Sequence, residues 1–308
     1  MEHRTFGKTG LHVSLLGFGG SEIGYQGATA ETVTKLLNAA IDAGLNVLDT
    51  AECYKNSEEL IGAAVSHRRD DFHLFTKVGH EHGWGAGDDW SAQSIERTIE
   101  RSLQRLRTDH VDLVQLHSCK ASVIAQGEAI KALERAKAAG KTRFIGYSGD
   151  SDDAIAAIKT NAFDTLQTSV SIADQESIER VLPLAVERNM GVIAKRPIAN
   201  AAWRDTKRPS GAYSETYWDR LTHLRYDFLN GWPERSLDET AAAKVSEIAL
   251  RFTMTVPGVH TMIVGTTKPD RWAKNAAMIA KEELPKAEYD AIRAKWKQVA
   301  RSDWVGQV

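Results

Sequence analysis

NVLDTAECYKNSEELIG, residues 46–62, passes from a short apolar run straight into a helical pattern. The run through Val47 and Leu48 reads as a buried strand, and the stretch from Ser57 to Val65 reads as a helix. Two polar residues mark the changeover: Asp49 closes the strand and Tyr54 lies in the turn. A strand followed by a helix is one step of a βαβ unit, so the fold depends on how often that step recurs.

It recurs along the whole chain. Upstream, VSLLGFG (13–19) reads as one strand, followed by a helix with Val33, Leu36, Leu37, Ala40 and Ile41 on one face. Downstream, HLFTK (73–77), VDLVQLH (111–117), TRFIGYS (142–148), FDTLQTS (163–169), GVIAK (191–195) and HTMIVG (260–265) read as six more strands. Helical patterns fill the intervals. The one at 91–107 sets Ile95, Ile99, Leu103 and Leu106 in a stripe, and the one from Val123 to Ala139 stops at Gly140, a C-cap residue. Others fall near 151–159, 175–189 and 238–254, and two more near 269–281 and 287–300 close the chain.

Eight such units imply a parallel sheet, and at this length the natural closure is a (β/α)8 TIM barrel occupying residues 1–308 as a single domain. An open doubly wound sheet would carry GxGxxG after its first strand, and Gly17, Gly19, Gly20 and Gly24 do not have that spacing. Two long connections, 80–90 and 196–236, follow the third and seventh strands and are expected to overhang the barrel mouth. The second mixes aromatics, prolines and charges without a clear period.

Composition narrows the function. The 308 residues are 42% hydrophobic, enough for one extended core, and the formal net charge of −2 gives no electrostatic reason to expect nucleic acid. No apolar run is long enough to span a bilayer. The start, MEHRTFGKTGLHV, lacks the apolar core of a secretory signal. Cys53 and Cys119 are too few for a disulfide framework. A cytoplasmic setting and a small-molecule partner are therefore expected. His80 and His82 come with no clear third ligand, which argues against a metal site. Cys53 is read as packing, alternating away from Tyr54 if the chain is extended there. Trp84, Trp90, Trp203, Trp218 and Trp232 lie in loop-rich stretches that could line a substrate pocket.

Lys77 and His117 each close an apolar run, as Asp49 does. In a parallel barrel, strand ends are where chemistry is placed. Each residue alone has a plain structural explanation, Asp49 as a helix cap or Lys77 as a snorkelling side chain. Together they make a tunable proton donor. A phenol with an ordinary pKa of about 10 is a weak acid at neutrality. The Lys77 ammonium is expected to lower it, Asp49 to anchor Lys77, and His117 to donate a hydrogen bond to a substrate oxygen gaining charge.

DTAECYKNSEELIG, with Lys77 and His117 at later strand ends, resembles the signature of the aldo-keto reductases. The likeness runs from RTFGKTGLHVSLLGFGG (4–20), similar to the family's opening β-hairpin and first strand, to VGTTKPDRWAKN (264–275), similar to its cofactor segment. The resemblance implies NADPH lying extended across the mouth and transfer of its hydride to a carbonyl carbon, with Tyr54 protonating the oxygen. It implies that Ser148 and Gln167 hold the nicotinamide carboxamide. Gly20, Gly265, Thr266, Thr267 and Lys268 are likewise implied as cofactor contacts, with Arg271 and Asn275 at the 2′-phosphate and adenine. The chain departs from the family at two places. Ser148-Gly149, followed by Asp150, stands where many relatives have Ser-Asn, and AKRPIAN replaces a segment that carries a nicotinamide-stacking tyrosine. Arg196, at that second place, is assigned as a cofactor contact.

The resemblance implies an NADP-dependent oxidoreductase that reduces an aldehyde, ketone or sugar. Two other classes compete: a cofactor-binding regulatory or redox-sensing barrel, and a lyase or aldolase forming a Schiff base on Lys77.

Overall fold

In a computed structural model of the chain, residues 1–83, 90–211, 213–281 and 283–307 are described. An antiparallel hairpin, β1 (His3–Thr5) and β2 (His12–Ser14), comes first. The barrel strands are β3 (Leu16–Gly19), β4 (Val47–Asp49), β5 (His73–Val78), β6 (Val111–His117), β7 (Thr142–Ser148), β8 (Thr165–Ser169), β9 (Gly191–Lys195) and β10 (Thr261–Val264). All are parallel, and β10 pairs with both β3 and β9, so the sheet closes. The fold is the (β/α)8 barrel that the alternation implies.

Pleating decides what fills the barrel, because residues two apart share a face. Val47, Phe75, Leu113 and Ile193 point inward low in the barrel and form a compact cluster with Phe6, Leu11 and Val13 of the hairpin. Phe6 stacks on Phe75 at 5.8 Å between centroids. Gly191 leaves room for it, since a Cβ there would come within 2.7 Å of the Phe6 ring. Two residues further along the same strands, the inward positions are Asp49, Lys77, Gln115 and Lys195. An apolar floor thus carries a polar layer at the C-terminal ends. The outward faces, including Leu48, Leu74, Val114 and Leu116, pack under the helix ring in the main core.

The helix Ala30–Asp42 buries Val33, Leu36, Leu37, Ala40 and Ile41, the face its periodicity marks, and is capped by Thr29 accepting from Thr32 N–H. The structure departs from the sequence reading in several places, one of them the helix expected near 175–189, which is divided into Glu176–Arg180 and Leu182–Glu187. Residues 13–19 are not one strand: β2 ends at Ser14 and β3 starts at Leu16. Hairpin and barrel are both buried there, so the apolar run continues across the break. The helix expected from Val123 to Ala139 is two, Ala121–Ile124 and Glu128–Ala138, divided at Gly127 with φ +75°. The patternless 196–236 segment contains a helix, Glu215–Leu224, burying Tyr217, Arg220, Leu221 and Leu224. Arg220 breaks the apolar stripe, and it is tolerated because it pairs with Asp174 at 3.3 Å. Among the described residues, no helix is long and apolar enough to cross a membrane.

Candidate active site

Asp49 and Lys77, at the ends of β4 and β5, are both 1% exposed and form a direct ion pair. Lys77 Nζ also donates to the Thr50 carbonyl at 2.9 Å. The other carboxylate oxygen, Asp49 Oδ2, accepts from Gln115 Nε2 at 3.2 Å and Gln167 Nε2 at 2.9 Å. A buried pair survives only when its remaining valences are satisfied in this way. Gln115 was not anticipated from sequence. It lies two residues before His117 on β6, so the strand period alone turns it to the same interior.

Tyr54 sits in the turn between β4 and the helix Ser57–Val65. That turn packs against the helix Ser21–Tyr25, where a Cβ at Gly24 would reach the Tyr54 carbonyl at 2.0 Å. The Lys77 ammonium lies 5.2 Å from the Tyr54 ring centroid, and the His117 ring meets Tyr54 edge-to-face at 5.6 Å. Asp49, Tyr54, Lys77 and His117 are therefore one cluster.

Its electrostatics differ from the expectation. Burial, followed by the Asp49 charge, pushes the Tyr54 phenol well above its ordinary value; it is not lowered by Lys77. Desolvation outweighs the neighbouring ammonium, whose charge is shared with Asp49 and the Thr50 carbonyl. Burial, and then the Lys77 charge, hold the His117 imidazole well below its usual pKa, so it is neutral near pH 7. Cys53 is also misplaced by the sequence reading. The chain at 51–56 turns instead of running extended, and Cys53 Sγ lies 3.5 Å from His117 Nδ1.

His80 is occupied structurally, its Nε2–H donating to the His117 carbonyl at 2.8 Å. Its backbone N–H is accepted at 2.7 Å by Glu52, whose buried carboxyl is pushed up to about 7, mainly by burial. Trp90 packs edge-on against the His80 ring at 5.6 Å. Trp203 and Trp232 are core residues, Trp218 stacks edge-on against Trp232, and Trp84 lies outside the described residues.

Ser148 and Gln167 meet at the ends of β7 and β8, where Ser148 Oγ donates to Gln167 Oε1 at 3.0 Å. A Cβ at Gly149 would come within 2.5 Å of the Tyr147 hydroxyl, and the next residue, Asp150, is buried. It accepts from Thr168 Oγ1 at 2.8 Å and Ser169 N–H at 2.6 Å, and pairs with Lys195 at 2.8 Å. Burial opposes its charge, but Lys195 holds the carboxyl below the usual range. Arg196, with φ +59°, stacks on Tyr213 at 4.9 Å and donates to the Gln307 carbonyl. Lys195 Nζ reaches the same carbonyl at 3.1 Å. The C-terminal tail therefore lies beside the residues that replace the stacking tyrosine.

Gly20 follows β3, and a Cβ on it would meet Ser57 Oγ at 2.7 Å. After β10, Gly265 leaves space taken by the Glu22 carboxylate, and Thr266 Oγ1 accepts from Lys268 N–H at 3.1 Å. Arg271 and Asn275 are on the helix Arg271–Ile279, Asn275 being 4% exposed. Arg204, from the long 196–236 segment, joins this corner unannounced by any sequence signal. Burial, and then the Arg271 charge, lower its pKa. Two guanidiniums brought within mutual repulsion make a corner suited to a phosphate-bearing ligand.

The model of the aldo/keto reductase family matches residues 15–297. This chain belongs to the aldo/keto reductase family. The uncharacterized oxidoreductase YqkF of Bacillus subtilis is 30% identical over 308 residues, spanning 97% of each chain. The holo form of the aldo-keto reductase AKR11C1 from Bacillus halodurans is 28% identical and superposes with a TM-score of 0.81 over 99% of each chain. An aldo-keto reductase from Klebsiella pneumoniae in complex with NADPH is 26% identical, with a TM-score of 0.74 over 100% of each. As a member of that family, the chain is an oxidoreductase.

Proposed function

We propose that this aldo-keto reductase reduces the carbonyl of a small aldehyde, ketone or sugar, with Tyr54 as the proton donor. The observation that carries the reading is the convergence of the Tyr54 ring, the Lys77 ammonium at 5.2 Å and the His117 ring at 5.6 Å. When bound, the reduced nicotinamide supplies the hydride.

The raised pKa of Tyr54 is compatible with that role. A general acid must hold its proton until the substrate needs it, and burial keeps the phenol protonated. The oxygen of a carbonyl receiving hydride becomes alkoxide-like, a stronger base than a phenolate, so the proton moves downhill. Lys77, 5.2 Å from the Tyr54 ring centroid, then stabilises the phenolate left behind. Asp49, with Gln115 and Gln167 on its second oxygen, keeps Lys77 in position. Neutral His117 donates an N–H to the substrate oxygen and orients it toward Tyr54.

Ser148 and Gln167 are assigned to the nicotinamide carboxamide, with Arg196 as a further contact at the nicotinamide end. Gly20, Gly265, Thr266, Thr267 and Lys268 are assigned to the phosphate path, and Arg271 and Asn275 to the 2′-phosphate and adenine. A Schiff base on Lys77 is disfavoured, because its nitrogen is engaged by Asp49 and the Thr50 carbonyl. Following NADPH absorbance across a panel of aldehydes, ketones and sugars tests the reading. Turnover of at least one carbonyl class is expected, and none across the panel would overturn it.

A further inference from the structure

We infer that Cys53 is a positioning residue for this reaction: its thiol donates to His117 Nδ1 and so fixes the imidazole as the Nε2–H tautomer. The inference rests on the reading of His117 as hydrogen-bond donor to the substrate oxygen.

A neutral imidazole has one proton and two nitrogens to carry it, and the partner of one nitrogen sets the state of the other. Here His117 is 6% exposed, and its Nδ1 lies 3.5 Å from Cys53 Sγ, within hydrogen-bonding distance for sulfur. Two assignments are open. If Nδ1 carried the proton it would point at a weak sulfur acceptor, and Nε2 would present a lone pair to a substrate oxygen, two acceptors facing each other. If the thiol donates, Nδ1 accepts and Nε2 carries the donor that the reaction needs.

The surroundings favour the second arrangement. Burial, followed by the Glu52 charge, pushes the Cys53 thiol far above its ordinary range, so it keeps its proton. His117 is held from several sides: the His80 ring is 5.2 Å away at 74°, and the Tyr54 ring meets it at 79°. His80 Nε2–H also fixes the His117 carbonyl. With the ring so confined, the thiol is placed to set its tautomer. Cys53 reaches His117 only because residues 51–56 turn; the same residue in an extended segment would face away.

The test compares Cys53→Ala, Cys53→Val and Cys53→Ser with wild type, using nitrogen-15 NMR of the His117 ring in the NADP+ complex, steady-state kinetics and NADPH affinity. Wild type is expected to show protonated Nε2. Cys53→Ala and Cys53→Val should lose about 10-fold in kcat and show a mixed tautomer, with NADPH affinity within about two-fold of wild type. Cys53→Ser, which retains a donor, should recover most of the rate and the single tautomer. Protonated Nδ1 in wild type would overturn the inference. So would an unchanged kcat in Cys53→Ala, or loss of rate in all three variants with the wild-type tautomer retained, which would mark a packing role. The tautomer is read without turnover, so this inference can fail while Tyr54 stands as the acid.

Discussion

Gln167 Nε2 donates to Asp49 Oδ2 at 2.9 Å, joining β8 to β4 through the barrel interior. Gln115 reaches the same oxygen from β6, and Lys77 holds the other from β5. One carboxylate therefore gathers side chains from three strands, and Lys77 keeps its place because Asp49 is itself held.

Removing that carboxylate should be costly. Asp49→Ala leaves a buried ammonium and two buried amides without their acceptor, and a loss of about 3–5 kcal/mol is expected. Adding Lys77→Met to that variant removes the stranded charge and should restore a substantial part of it. Denaturant unfolding of the two variants provides the comparison. A double variant no more stable than Asp49→Ala would show that the charge pair is not the source.

Glu52 gives the site a pH signature. Its carboxyl sits at about 7 in the folded chain against an ordinary 4.5, so between these values the folded state holds a proton that the unfolded state has released. Its contribution to stability is thus most favourable at the acid end and declines as pH rises through about 7. Glu52→Gln retains an acceptor for His80 N–H while removing the charge. Its stability advantage over wild type should grow by up to about 3 kcal/mol between pH 5 and pH 8. A pH-independent difference in denaturation midpoints would contradict this.

The corner at Arg204 and Arg271 should govern the choice of dinucleotide. Arg271→Ala is expected to weaken NADPH by about 10–100-fold, the scale of a lost hydrogen bond to a charged group, while leaving NADH nearly unchanged. Arg204→Ala should act in the same direction with a smaller effect. Fluorescence titration with both cofactors measures it, and equal losses would remove the 2′-phosphate role.

Much of this was legible in the sequence, for physical reasons. Pleating turns alternate residues inward, so Asp49, Lys77 and His117 share the barrel interior with the apolar residues two positions before Asp49 and Lys77. Strand ends then place them at the mouth. The same rule also selects Gln115. Other features have no such signal. Cys53 reaches His117 through a turn whose path depends on Gly24 and the packing of helix Ser21–Tyr25. Arg220 interrupts a buried helical stripe and is explained only by Asp174, distant in sequence. Arg204 comes near Arg271 through a long loop without periodicity. The Tyr54 pKa was misjudged because the depth of burial, which outweighs a neighbouring ammonium, is not written in the local sequence.

Steady-state reduction of a carbonyl substrate by Tyr54→Phe tests the central claim most directly. The variant loses one hydroxyl, so NADPH binding should stay near wild type while kcat falls by about 10²–10⁴-fold, the scale of general acid catalysis. Undiminished turnover with intact NADPH binding would contradict the assignment of Tyr54 as the proton donor.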